Sequence, residues 1–165
     1  MRLMICALSA LVLAGCGKTP VAEAESSETV SAPVLIQDRF RVYESAQSHS
    51  VTLERLLQSL DRRDLTVFSL IDHRAGAQSI DQELPPSTLV IFGNPKGGTP
   101  LMQAEPLMGI ELPMRALVYE QEGKVMLALT GTDFLEREYD LTSKESIFKR
   151  MEQTLETIAN EATAP

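Results

Sequence analysis

Tryptophan is absent from this chain of 165 residues, and aromatic residues supply only 5% of it. With 44% hydrophobic residues, the chain can still bury a core of one ordinary domain, and that core must be aliphatic. Cysteine occurs only as Cys6 and Cys16. Everything after residue 16 therefore lacks a thiol, which excludes disulfides and Cys-based catalysis there. Histidine occurs only as His49 and His73, too few strong ligands for a zinc site. No Gly-x-Ser-x-Gly motif is present, so a nucleophile elbow is excluded. No Lys/Arg cluster offsets the formal charge of −8, which argues against nucleic acid as a partner.

What is present begins with an address. Met1-Arg2 is a short basic start, and Leu3 to Leu13 is an apolar run interrupted only by Ser9. That run is too short for a bilayer span, which needs ~20 residues, but it fits the core of a signal peptide. Leu13-Ala14-Gly15-Cys16 has the form of a bacterial lipoprotein cleavage box. Residues 1–15 are expected to leave, and Cys16 to carry a diacylglyceryl thioether that anchors the chain to the membrane. Loss of Arg2, the one charged side chain in that segment, makes the remaining charge −9. Gly17 follows in place of the Asp that retains enteric lipoproteins in the inner membrane, which points to the periplasmic face of the outer membrane. Residues 16–37 are rich in Ala, Ser, Thr, Glu, Pro and Val without apolar period, the composition of a tether.

From about residue 38 to 162 the pattern is that of a single domain. Arg39–Glu44 alternates as a strand, with Phe40 and Val42 on one face and the other face wet. Ser50 offers a cap for a helix whose stripe is Leu53, Leu56, Leu57 and Leu60. The cluster Asp61-Arg62-Arg63-Asp64 reads as solvated charge. Leu65–Ile71 is a second strand, followed by a short helix around Ala75–Ile80. Residues 88–92 form a third strand, which enters a turn containing Gly93, Gly97 and Gly98; Thr99-Pro100 suits the start of a helix that ends between Gly109 and Pro113. Met114–Glu120 and Lys124–Thr130 form a hairpin, with Gly123 supplying a positive φ. Thr132 can cap a short helix, and Thr142-Ser143-Lys144-Glu145 has the form of a capping box before a last helix. The expected fold class is α+β: a mainly antiparallel sheet with helices packed on one side.

The residues Asp72-His73, Leu84-Pro85-Pro86-x-Thr88-Leu89-Val90-Ile91-Phe92-Gly93-Asn94-Pro95-Lys96-x-Gly98-Thr99-Pro100-Leu101-Met102 and Leu112-Pro113-Met114-Arg115-Ala116-Leu117-Val118-Tyr119 resemble the bacterial domain-of-unknown-function family 302. The resemblance covers residues 40–141. It implies a compact α+β domain similar to the TATA-binding-protein-like class, able to form a homodimer, and implies no activity.

Two places invite chemistry. Asn94, Lys96, Gly97, Gly98 and Thr99 place a cation and backbone N–H groups at a helix start, which suits a small anionic ligand. The same composition reads equally as a strand-to-helix turn that uses glycine for its conformation and leaves Lys96 in water. His73 beside Asp72 offers an acid–base pair, although neighbours on a strand point to opposite faces. Met102, Met108, Met114 and Met126 lack tight metal-binding spacing and read as core filling. No metal and no cofactor is expected. The preferred reading is a lipid-anchored, non-catalytic module that binds a small ligand or a protein. The alternatives are an enzyme using His73 and Lys96, and a structural homodimer of the envelope.

Overall fold

The computed structural model describes residues 39–165. The expected signal peptide (residues 1–15) and tether (residues 16–37) lie outside the described residues. Strands β1 (Phe40–Ser45), β2 (Thr66–Asp72), β3 (Ser87–Gly93), β4 (Met114–Gln121) and β5 (Lys124–Thr130) form one sheet in the order β1-β5-β4-β3-β2. Every neighbouring pair is antiparallel. The helices are α1 (His49–Asp61), α2 (His73–Gln78), α3 (Pro95–Ala104), α4 (Met108–Glu111), α5 (Thr132–Glu138) and α6 (Glu145–Thr163). This is the α+β architecture that the order of patterns implies.

The core lies between one sheet face and the pair α1 and α6. Met114, Ala116 and Val118 alternate inward along β4, and Leu127 and Leu129 do so along β5. Against them pack Leu56 and Leu60 of α1 and Phe148, Leu155 and Ile158 of α6, all buried. The hairpin between β4 and β5 turns through Glu122 (φ 53) and Gly123 (φ 77), the two positive φ values of a type I′ turn.

Several local expectations are corrected. Ser48, not Ser50, caps α1: its Oγ accepts from Val51 N at 3.4 Å. In β1 the helix-facing residues are Arg41, Tyr43 and Ser45, whereas Phe40 and Val42 lie on the opposite face and Val42 is 49% exposed. Thr142–Lys144 forms a 3-10 turn because buried Leu141 holds the chain there and its carbonyl accepts from Lys144 N. Helix α6 then starts at Glu145 without a side-chain cap. The cap of α5 is Gly131, and the Thr132 hydroxyl instead bonds Glu152 across to α6. Arg62 and Arg63 are not merely solvated, because both bind Glu161 of α6.

Candidate ligand-binding site

Helix α3 begins at Pro95, about one turn ahead of the start that Thr99-Pro100 suggests, and its geometry shapes the site. Asn94 is extended and its Oδ1 accepts from Lys96 N at 2.9 Å. Its backbone carbonyl accepts from Gly97 N at 3.0 Å and Gly98 N at 3.1 Å. Pro95 has no N–H to offer. The first-turn donors are thus already engaged, and attraction for an anion at this helix start falls to side chains. Neither Gly97 nor Gly98 has a positive φ; both are ordinary helical residues.

Below this turn is a cavity of about 620 Å³, bounded by α3, the ends of β3 and β4, and α6. Buried Phe92, Met114 and Leu155 line it, with Met102, Leu112 and Met151 alongside. A β-bulge between Val67 and Ser69 re-aims Phe68 towards the same space, past Gly93. Lys96 and Arg150, both exposed, also line the cavity. Among the described residues no Asp or Glu lines it. The volume lies within the ~300–1,000 Å³ typical of small-molecule sites, and the lining is chiefly apolar, as in such sites.

Asn94, Lys96, Gly97, Gly98 and Thr99 therefore share one cavity. Asp72 and His73 lie elsewhere. Asp72 caps α2, accepting from Ala75 N at 3.0 Å, and His73 is an exposed first residue of that helix. In the β2–β3 register Asp72 pairs with Thr88 and Thr66 with Gly93. His73 and Lys96 thus stand at opposite ends of the pair, about 20 Å apart at ~3.3 Å per residue. The acid–base reading that requires their convergence is corrected on that ground. His49 is turned inward, its Nε2 3.2 Å from the carbonyl of Val118, near a smaller hollow of about 350 Å³ that includes Asp72, Arg74 and Glu120.

Arg150 and Met151 contribute to the site, although nothing in the local sequence marks them for ligand binding. Met151 belongs to the apolar stripe of α6, and Arg150 is its immediate neighbour, but no spacing connects Arg150 to Lys96 across the sequence. The methionines divide by place: Met108 and Met114 are buried, while Met102 is 37% exposed at the cavity. Among the described residues no group of His, Cys, Asp and Glu is arranged to hold a metal ion.

The opposite sheet face carries a different feature. Phe40, Val42, Leu89, Leu117, Tyr119 and Ala128 form a shallow apolar hollow there. None of the described helices covers it. The edge strand β2 adds further exposed apolar residues, including Ile71 at 39%. Arg39 and Arg115 border this face and converge on buried Glu111, donating to its carboxylate at 3.0 and 2.9 Å.

Comparison with known proteins places this arrangement. The chain is 40% identical over 99 residues to the protein named fluoride-specific ion channel FluC 1 of Brucella suis biovar 1 (strain 1330), covering 59% of this chain and 39% of that protein. The same identity and length relate it to fluoride-specific ion channel FluC 2 of Brucella melitensis biotype 1, of which 37% is covered. The chain thus spans less than half the length of these curated relatives. The crystal structure of an uncharacterized conserved DUF302 protein from Bacillus stearothermophilus superposes with a TM-score of 0.68 at 18% identity, over 74% of this chain and 97% of that chain. That match covers nearly all of the neighbour, so the solved chain consists of this architecture with little besides it. The model of the family described as domain of unknown function DUF302 matches residues 41–159, and the chain belongs to that family.

Proposed function

We propose that this protein is a non-catalytic binding module, anchored through acyl chains on Cys16 at the periplasmic face of the outer membrane, that takes a small apolar molecule into the cavity beside α3. The observation that carries the reading is the cavity itself: about 620 Å³, chiefly apolar and adjoining the core, with no grouping of acid, base and nucleophile in its lining. The cleavage box ending at Cys16 supports the anchor, and the composition of residues 17–37 supports a reach away from the membrane. The relatives named as ion channels carry a similar segment within longer proteins, which favours a workplace beside a membrane. Their channel activity is not carried over, since less than half of their length is matched. Thermal shift of residues 38–165 against a panel of apolar small molecules tests the reading. A rise in melting temperature that saturates supports it, and a flat response across the panel refutes it.

A second reading has its own observation. The helix-free sheet face, with Val42 49% exposed beside Leu117 and Tyr119, is an apolar patch of the kind that marks protein contacts. We assign it to a second copy of this chain, joined face to face about a two-fold axis. Sedimentation of residues 38–165 at the mass of a single chain at all concentrations would refute this assignment.

A further inference from the structure

We infer that the occupant of the cavity is a free, single-chain amphipathic anion, a fatty-acid-like carboxylate whose tail lies against Phe92, Met114 and Leu155 and whose head meets Lys96 and Arg150. The inference rests on the cavity reading above and adds the ligand class.

Charge distribution leads to it. The chain has 23 acidic and 15 basic side chains, yet the cavity lining holds two cations and no carboxylate among the described residues. Eight of the 13 described Lys and Arg side chains contact a carboxylate. Lys96 and Arg150 are among the five that have no such contact among the described residues, and both line this one cavity. A ligand carboxylate beside them would supply the missing counter-charge, and Arg can meet it with two parallel N–H groups.

The inner lining selects the rest of the molecule. Phe92, Met114, Leu112 and Leu155 offer no side-chain hydrogen bond, so a sugar or a nucleobase placed there would leave its polar atoms without partners. An alkyl tail has no polar atoms to satisfy. Met102, Met114 and Met151 are flexible enough to adapt to its length and bends. The volume is that of a drug-sized ligand and suits one chain better than the two of a phospholipid.

Calorimetric titration of residues 38–165 with dodecanoate, dodecan-1-ol and dodecyltrimethylammonium, each below its aggregation threshold, tests the class. Dodecanoate is expected to bind once per chain, about tenfold tighter than the alcohol. Lys96→Ala/Arg150→Ala should remove that difference without lowering the melting temperature, because both side chains are exposed. Met151→Trp, which fills the cavity and keeps both cations, should abolish binding. Equal binding of acid and alcohol would overturn the head-group assignment and leave the cavity reading standing. Failure of all three probes would overturn the cavity reading as well. Unchanged dodecanoate binding in Met151→Trp would put the ligand elsewhere. Capture by anionic phospholipid vesicles without binding of free dodecanoate would replace the inference with a membrane-surface contact.

Discussion

Arg63 and Glu161 are 98 residues apart in the chain, and Arg63 Nη2 donates to Glu161 Oε1 at 2.6 Å. Arg62 and Ser59 also donate to the same carboxylate, at 2.6 and 2.7 Å, so the end of α1 is fastened to the end of α6. These are the two helices that cover the core. The hydrogen bonds from Arg63, Ser59 and Arg62 pull the Glu161 carboxyl down from 4.5 to about 2.

That shift sets a pH dependence. The carboxyl is more acidic folded than unfolded, so its contribution is complete above about pH 4.5 and is lost as pH falls towards 2. Glu161→Gln should therefore melt below the wild type at pH 7, and the gap should narrow through that window. Parallel melting curves from pH 7 to 2.5 check it. A gap that stays constant would separate the stability effect from ionisation.

Glu111 offers a second electrostatic test. It is only 8% exposed, and Arg39, Arg115 and the Tyr139 hydroxyl all donate to it. Glu111→Gln keeps the volume but leaves two guanidiniums facing a neutral amide. The expected loss is about 2 kcal/mol by denaturant unfolding, towards the low side for a broken buried pair because each arginine is about a third exposed.

Two glycines should respond in opposite directions. A Cβ on Gly131 would come within 2.9 Å of Asp133 Oδ1 and 3.2 Å of Arg41 Nη1, pushing apart the pair that joins β1 to α5. Gly131→Ala should cost about 1 kcal/mol. A Cβ on Gly97 would meet nothing within 4 Å, and its φ is not left-handed. Gly97→Ala should gain about 0.4–1 kcal/mol by restricting the unfolded chain. Thermal melts of the two variants, run side by side, measure both signs.

The sheet-face assignment predicts an effect on mass. Val42→Lys places an ammonium within the apolar face, on the side of the sheet away from the core. The expected result is a shift from dimer to monomer in sedimentation, with little change in melting of the monomer. Unchanged sedimentation would remove Val42 from the interface.

Much of the fold was legible because its signals are local. The stripe Leu53-Leu56-Leu57-Leu60 marked α1, and Gly123 marked the β4–β5 hairpin. Helix ends were less legible because competing caps lie close together: Ser48 and Ser50 both qualify, and Asn94-Pro95 precedes Thr99-Pro100. For β1, alternation identified a strand without saying which face meets helices, since polar Arg41 and Ser45 face inward with partners of their own. At the site, the glycine-rich turn drew notice for its backbone donors, which Asn94 and the helix already occupy. Arg150 was illegible as part of the site because the cavity joins distant segments, and only packing brings Arg150 and Lys96 into one lining.

Residues 163 and 164 also tie the last helix to the start of the domain. Ala46 N donates to the carbonyl of Thr163, and Gln47 and Arg55 both donate to the carbonyl of Ala164, so the end of α6 fastens onto the junction after the first strand. The exit of the first strand and the end of the last helix are therefore expected to fray together, as one unit.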